Sequence, residues 1–119
     1  MYAQHRRMVE RFYEDRATIR RFAEEETPWG ETRLIEKVVH QDVPCRLSYR
    51  AIGVSVSYQT ESVNRIEYET KLFVAPEVDV RAGDVIAVTK AGVTREYVAG
   101  EPFVYATHQE VILTRKENA

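Results

Sequence analysis

The chain has 119 residues, 44% of them apolar and 30% charged, with a formal net charge of −2. This is enough apolar material for one packed domain, 1–119, which excludes a disordered chain, and the near-neutral charge excludes strong whole-molecule attraction to nucleic acid. The longest uncharged run, Ala51–Thr60, is too short to cross a bilayer; no signal peptide is readable after Met1, and one cysteine, Cys45, excludes an internal disulfide and suits a reducing compartment.

Residues 1–15 read as a helical segment. Tyr2, His5, Met8, Val9, Phe12 and Tyr13 recur at spacings of three and four and gather into one stripe. Arg6 with Glu10, and Arg11 with Asp15, are i,i+4 pairs on its flank. So short a helix is marginal alone, so its stripe must pack on its own β domain or on a neighbouring subunit. Arg6, Arg7, Arg11, Arg16, Arg20 and Arg21 make this end basic, while the body turns acidic from Glu24-Glu25-Glu26 onward. Arg6, Arg7 and Arg11 are therefore candidate contacts for an acidic neighbour or another copy of the chain. The alternative is a solvated helix face.

From 16 to 115 the pattern is mostly β: short runs separated by turn residues. It predicts a small closed or partly open β-barrel of about six to seven antiparallel strands with an N-terminal α-helix. Ala17–Ala23 forms a first strand, followed by a Thr27-Pro28-Trp29-Gly30 turn. Thr32–His40 is a second, turned by Gln41-Asp42. Cys45, Leu47 and Tyr49 alternate with Arg46, Ser48 and Arg50 in a half-buried strand. Ile66, Tyr68, Thr70 and Leu72 alternate with acidic and basic residues in another. Arg81-Ala82-Gly83-Asp84 turns into Val85–Thr89, apolar on both faces and so the most buried strand. Ala91-Gly92 makes a hairpin to Val93–Val98, Gly100-Glu101-Pro102 turns into Phe103–Tyr105, and Glu110–Thr114 is the last strand.

Residues 51–64 form an overlong connection, too apolar for a plain linker and too polar for a core strand. Val54, Val56 and Tyr58 alternate with serines, so the segment can add a strand to a partner's edge, or stand as an ordinary protruding β-ribbon. Its candidate partner-contacting residues are Ile52, Val54, Val56, Tyr58, Gln59 and Glu61.

No catalytic, metal or cofactor set is readable. There is no phosphate loop or dinucleotide fingerprint, and His5, His40 and His108 are isolated from one another. Cys45 sits where a small inward residue belongs. Adjacent residues of Glu24-Glu25-Glu26 point to opposite faces of an extended chain and do not converge on a cation. His108 and Glu110 share a strand face but have no third member. Tyr and Phe on a barrel suggest an oligonucleotide-binding module, yet the arginine excess lies on the helix and not among the strands.

Val43–Tyr49, Tyr68–Val74, Val80–Val88, Gly100–Tyr105 and His108–Val111, in that order and spacing, resemble the head-completion (head-closure or stopper) proteins of siphophages and Bacillus-type defective prophages. The resemblance covers roughly residues 16–115. It implies a structural protein, not an enzyme, that docks under the portal and adaptor ring, closes the DNA-filled head and offers the tail-joining protein a surface. It also implies a monomer in solution that forms a ring, usually of about twelve copies, on the connector. Residues 51–64 match the loop that helps close the channel in such proteins. The implied location is the host bacterial cytoplasm during assembly and then the head–tail interface, with no membrane and no sequence-specific nucleic acid as partner. A tail-terminator or tail-completion protein is the alternative within the same particle, and a small nucleic-acid-binding barrel a further one. The arginine-rich start is longer than in many such proteins.

Overall fold

A short helix, α1 (Tyr2–Glu10), precedes six antiparallel strands: β1 (Asp15–Glu26), β2 (Thr32–Val56), β3 (Asn64–Val74), β4 (Val85–Lys90), β5 (Val93–Val104) and β6 (Gln109–Arg115). The computed structural model describes residues 2–56 and 64–116. The strands are hydrogen-bonded in the order β1-β2-β3-β6-β5-β4, and β4 pairs back onto β1, so the sheet closes on itself. The mostly β fold with an N-terminal helix is therefore as the sequence predicts.

The core shows why a period of two closes this sheet. Every strand contributes a pair of residues spaced by two: Ala17 and Ile19, Cys45 and Leu47, Leu72 and Val74, Ile86 and Val88, Tyr97 and Ala99, Val111 and Leu113. Side chains on one face of a pleated strand repeat every second residue, so each pair points to the same axis. Burying a large aliphatic side chain here contributes about 1.5–3 kcal/mol. Gln109, also fully buried, donates from Nε2 to the carbonyls of Ala75 (3.3 Å) and Val78 (2.8 Å), which fixes the β3–β4 connection to the barrel.

Several boundaries differ from the sequence reading, each for a local reason. Gln41-Asp42 does not end a strand: Asp42 takes a left-handed φ of 56°, tolerated by its short side chain, and the β1–β2 register shifts nearby. Two expected strands thus merge into the 25-residue β2. Gly100-Glu101-Pro102 is likewise a register shift inside β5, not a turn. Ala91 (φ 51°) and Gly92 (φ 79°) do form the two-residue hairpin, whose two left-handed positions match the strand twist. The helix is shorter than residues 1–15. Arg6 pairs with Glu10 at 2.8 Å, but Arg11 and Asp15 do not pair, because Asp15 already belongs to β1 and turns inward.

Two stretches leave the barrel as two-stranded ribbons. β1 pairs with β4 only from Arg16 to Arg20, so Arg21–Glu26 pairs only with Thr32–Lys37. At the other end of β2, residues 50–56 pair only with 64–69 of β3. The segment expected as a loop over 51–64 is therefore paired through Val56 and again from Asn64, while residues 57–63 lie outside the described residues.

The β1–β4 seam is short, and on each side of it a buried carboxylate pairs with a more exposed cation. Asp84, 2% exposed, accepts from Arg21 Nε and Nη2, both at 2.9 Å, and from the Arg81 N–H at 2.8 Å. Asp15, also buried, accepts from the Leu47 N–H at 2.8 Å and lies 3.3 Å from Lys90 Nζ. Removing the Asp84 carboxylate leaves the Arg21 guanidinium without its buried partner. Asp84→Ala is expected to lower unfolding free energy by about 3 kcal/mol or more in urea denaturation, whereas Asp79→Ala, on the exposed side of the same arginine, has little effect.

Candidate functional site

The helical stripe packs only in part. Val9 and Tyr13 are half-buried, but Met8 and Phe12 remain 61% and 63% exposed. Together with His5 they face Arg46 of β2, Phe73 of β3, and Thr107 and His108 before β6 across an apolar groove of about 380 Å³. The cross-strand register that pairs Arg46 with Phe73 places both at its floor. The Arg46 guanidinium lies 5.9 Å from the centre of the Phe12 ring, within cation–π range. Tyr105 stacks on His108 with centroids 4.9 Å apart, and His108 Nε2 lies 3.4 Å from Glu110 Oε2, whose other oxygen faces Lys71 Nζ at 3.2 Å.

The helix is held lightly. A second hollow, about 490 Å³, opens on its other side between Arg6, Tyr13, Pro44 and Glu77. Arg6 spans it and donates to both Glu10 and Glu77, and the second of these bonds holds the Glu77 carboxyl below its usual range. The Tyr13 hydroxyl is buried with no hydrogen-bond partner among the described residues, and burial pushes its ionisation up to about 12.

The predicted contact residues divide accordingly. Arg6 is engaged within the molecule and acts as the helix tether, while Arg7 and Arg11 are exposed. Ile52 lies at the register shift of the β2–β3 ribbon, Val54 pairs with Ile66, and Val56 with Asn64. Tyr58, Gln59 and Glu61 lie outside the described residues. Among the described residues, Arg6 and Arg7 stand on α1 and Arg11 just past it, while Ile52, Val54 and Val56 stand on the β2–β3 ribbon.

Cys45 is fully buried, and burial, then the nearby Asp15 charge, pushes its thiol up to about 12, far from a reactive thiolate. Among the described residues no three His, Cys, Asp or Glu side chains converge to hold a metal ion. An apolar groove with one arginine, Arg46, in its lining suits an apolar side chain beside a carboxylate.

The sequence reading missed the β1–β2 ribbon as a surface. Phe22 and Leu34 are exposed there, Val38 is exposed where the ribbon meets the barrel, and Trp29 stands at its tip. The available signal was the two-residue spacing of Leu34, Glu36 and Val38 opposite Phe22, masked by the apolar Ile35 and Val39 in the other phase.

No family model matches the chain, and no curated protein matches it in sequence. A solved structure is similar: that of the phage-like element PBSX protein xkdH from Bacillus subtilis, at a TM-score of 0.50 and 15% identity, covering 85% of this chain and 92% of that one. At that identity the likeness is one of fold.

The Arg6–Glu77 tether makes helix attachment sensitive to acid. Because the attached-state Glu77 carboxyl lies below its ordinary value of 4.5, the tether is complete above that value and is lost as pH falls through the lowered one. Amide protection across Tyr2–Glu10 is expected to fall on acidification below 4.5 while that of the barrel core persists. Glu77→Gln should reproduce this loss at neutral pH in hydrogen-exchange measurements.

Proposed function

We propose that this chain is a structural virion protein of the head–tail joint, which docks as a ring under the portal and adaptor, closes the DNA-filled head and presents a surface to the tail-joining protein. Its fold likeness to a protein of a phage-like element supports a phage role, and the ordered segments from Val43 to Val111 support head closure within that role. The observation that carries the reading is the β2–β3 ribbon. Residues 50–56 and 64–69 pair only with each other, beyond the barrel, at the position the resemblance assigns to a channel-closing element.

The physics of a DNA gate suits the composition. A plug must block the channel without holding phosphates tightly, since counterion release would make such a grip hard to undo during ejection. A near-neutral subunit meets that need. Weak contacts from each copy add up once many engage one connector together. The subunit would assemble in the host bacterial cytoplasm and remain in the virion, with no substrate to turn over.

Purified protein is expected to bind DNA-filled, tailless heads and not isolated tails; binding to tails alone would replace this reading with a tail-terminator role. Replacing residues 52–67 by an Asn-Gly turn is expected to leave the barrel folded and the heads decorated, yet to let DNA escape on nuclease challenge. Full retention of the genome in that variant removes the gate and spares the docking.

A further inference from the structure

We infer that the β1–β2 ribbon of one copy seats its Trp29 tip in the α1 groove of the next, joining subunits head to tail. The inference deepens the ring-forming reading above and rests on it for its purpose, but its chemistry stands on two surfaces of the chain itself.

The first surface is apolar and acidic. Directly paired residues share a ribbon face, so Phe22 (opposite Glu36), Leu34 (opposite Glu24) and Val38 (opposite Arg20) form one exposed stripe. It leads to the turn at Thr27–Gly30, where Trp29 is 70% exposed. Between Phe22 and Glu36 there are five glutamates against one arginine, Arg33, itself 3.5 Å from Glu25. Glu24, Glu26 and Glu31 are exposed, with no ionic partner among the described residues. The second surface is apolar and basic. The groove exposes Met8 and Phe12 and carries Arg46 in its wall; nearby in the chain, the exposed Arg7 lies on the same short helix and the exposed Arg11 one residue past its end. Charge and apolarity are thus complementary between tip and groove, as a self-recognising pair requires.

The ribbon cannot fill its own groove. The helix lies before the start of β1 and the tip after its end, so 12 residues of strand separate them, about 40 Å at the rise of a β-strand. A second copy satisfies both surfaces at once. Because tip and groove are different patches, the contact is heterologous, the kind that closes into a ring when the rotation allows. An exposed tryptophan entering an apolar pocket is the sort of anchor that carries most of an interface's energy.

Trp29 is the only tryptophan and reports its own docking. A dilute native sample is titrated with the Trp29→Ala protein, which is silent in tryptophan emission but keeps its groove. Indole emission is expected to move to shorter wavelength and become protected from iodide, with affinity falling as salt is added. A Trp29→Ala acceptor that also carries Met8→Glu should bind at least tenfold more weakly. Reversing the donor with Glu24→Arg and Glu26→Arg should abolish docking, and Arg7→Glu with Arg11→Glu in the acceptor should restore it, a rescue that unfolding cannot produce. No emission change up to about 1 mM acceptor, or equal docking onto the Met8→Glu acceptor, overturns the inference. Docking here without binding to heads would leave the inference standing and remove the virion reading; the converse would do the reverse.

Discussion

Closure of the sheet between its first and fourth strands is the constraint on which the rest depends. The seam runs over only five residue pairs, from Arg16 opposite Thr89 to Arg20 opposite Val85. Five backbone pairs are a small hold on a strand that must also carry a free ribbon. On either side of the seam a buried carboxylate ties the same two regions together: Asp15 with Lys90 at one end, Arg21 with Asp84 at the other. Each carboxylate also accepts a backbone N–H, from Leu47 and Arg81 respectively, so neither charge is left to one partner alone. Buried pairs of this kind need not exceed an apolar substitute in stability, but they are directional, and breaking one is costly. A slip of one residue along the seam would turn Ala17 and Ile19 outward and separate both ion pairs, so register and closure are specified together.

With closure fixed, β2 acquires its role. Its 25 residues run from the acidic ribbon, through the barrel wall where Cys45 and Leu47 enter the core, to the ribbon it shares with β3. The bulge at Asp42 lets one strand serve three surroundings without ending, since a left-handed residue adds twist while the chain continues. Closed barrels have no edges to offer. The ribbons, which run past the closed part of the sheet, do have edges, and on the first of them Glu24, Glu25 and Glu26 face solvent. Charges on a ribbon edge oppose indiscriminate strand pairing.

What the sequence made legible was what depends on neighbours in the chain. The alternation at Cys45–Tyr49, the apolar run at Val85–Val88 and the Ala91-Gly92 turn are local patterns with local causes, and they identify the barrel and its core. The Asp42 and Pro102 bulges look like turns in the sequence because Asp beside Gln, or Gly-Glu-Pro, carries the same composition in a turn as in a bulge. Only the pairing partner across the sheet decides between them. Arg21 and Asp84 are 63 residues apart and leave no local trace of their pairing. The stripe on the helix was legible, but not that half of it would stay exposed. That outcome depends on the curvature of the wall formed by Arg46, Phe73 and His108.

The half-docked helix follows from competition between two demands on one short segment. Nine residues form too few internal hydrogen bonds to be stable alone, so some of the stripe must pack on the barrel, and Val9, Tyr13 and the Arg6–Glu77 tether meet that demand. If the whole stripe packed, the barrel would gain burial and lose the groove. Leaving Met8 and Phe12 uncovered forgoes about 1–2 kcal/mol of burial for each, and the Tyr13 hydroxyl adds the cost of a buried group without a partner among the described residues. A fold selected for isolated stability alone would shed those costs. Their persistence beside arginines, and the presence on the same chain of an acidic ribbon with an exposed aromatic tip, are consistent with a subunit whose lowest free energy is reached in company.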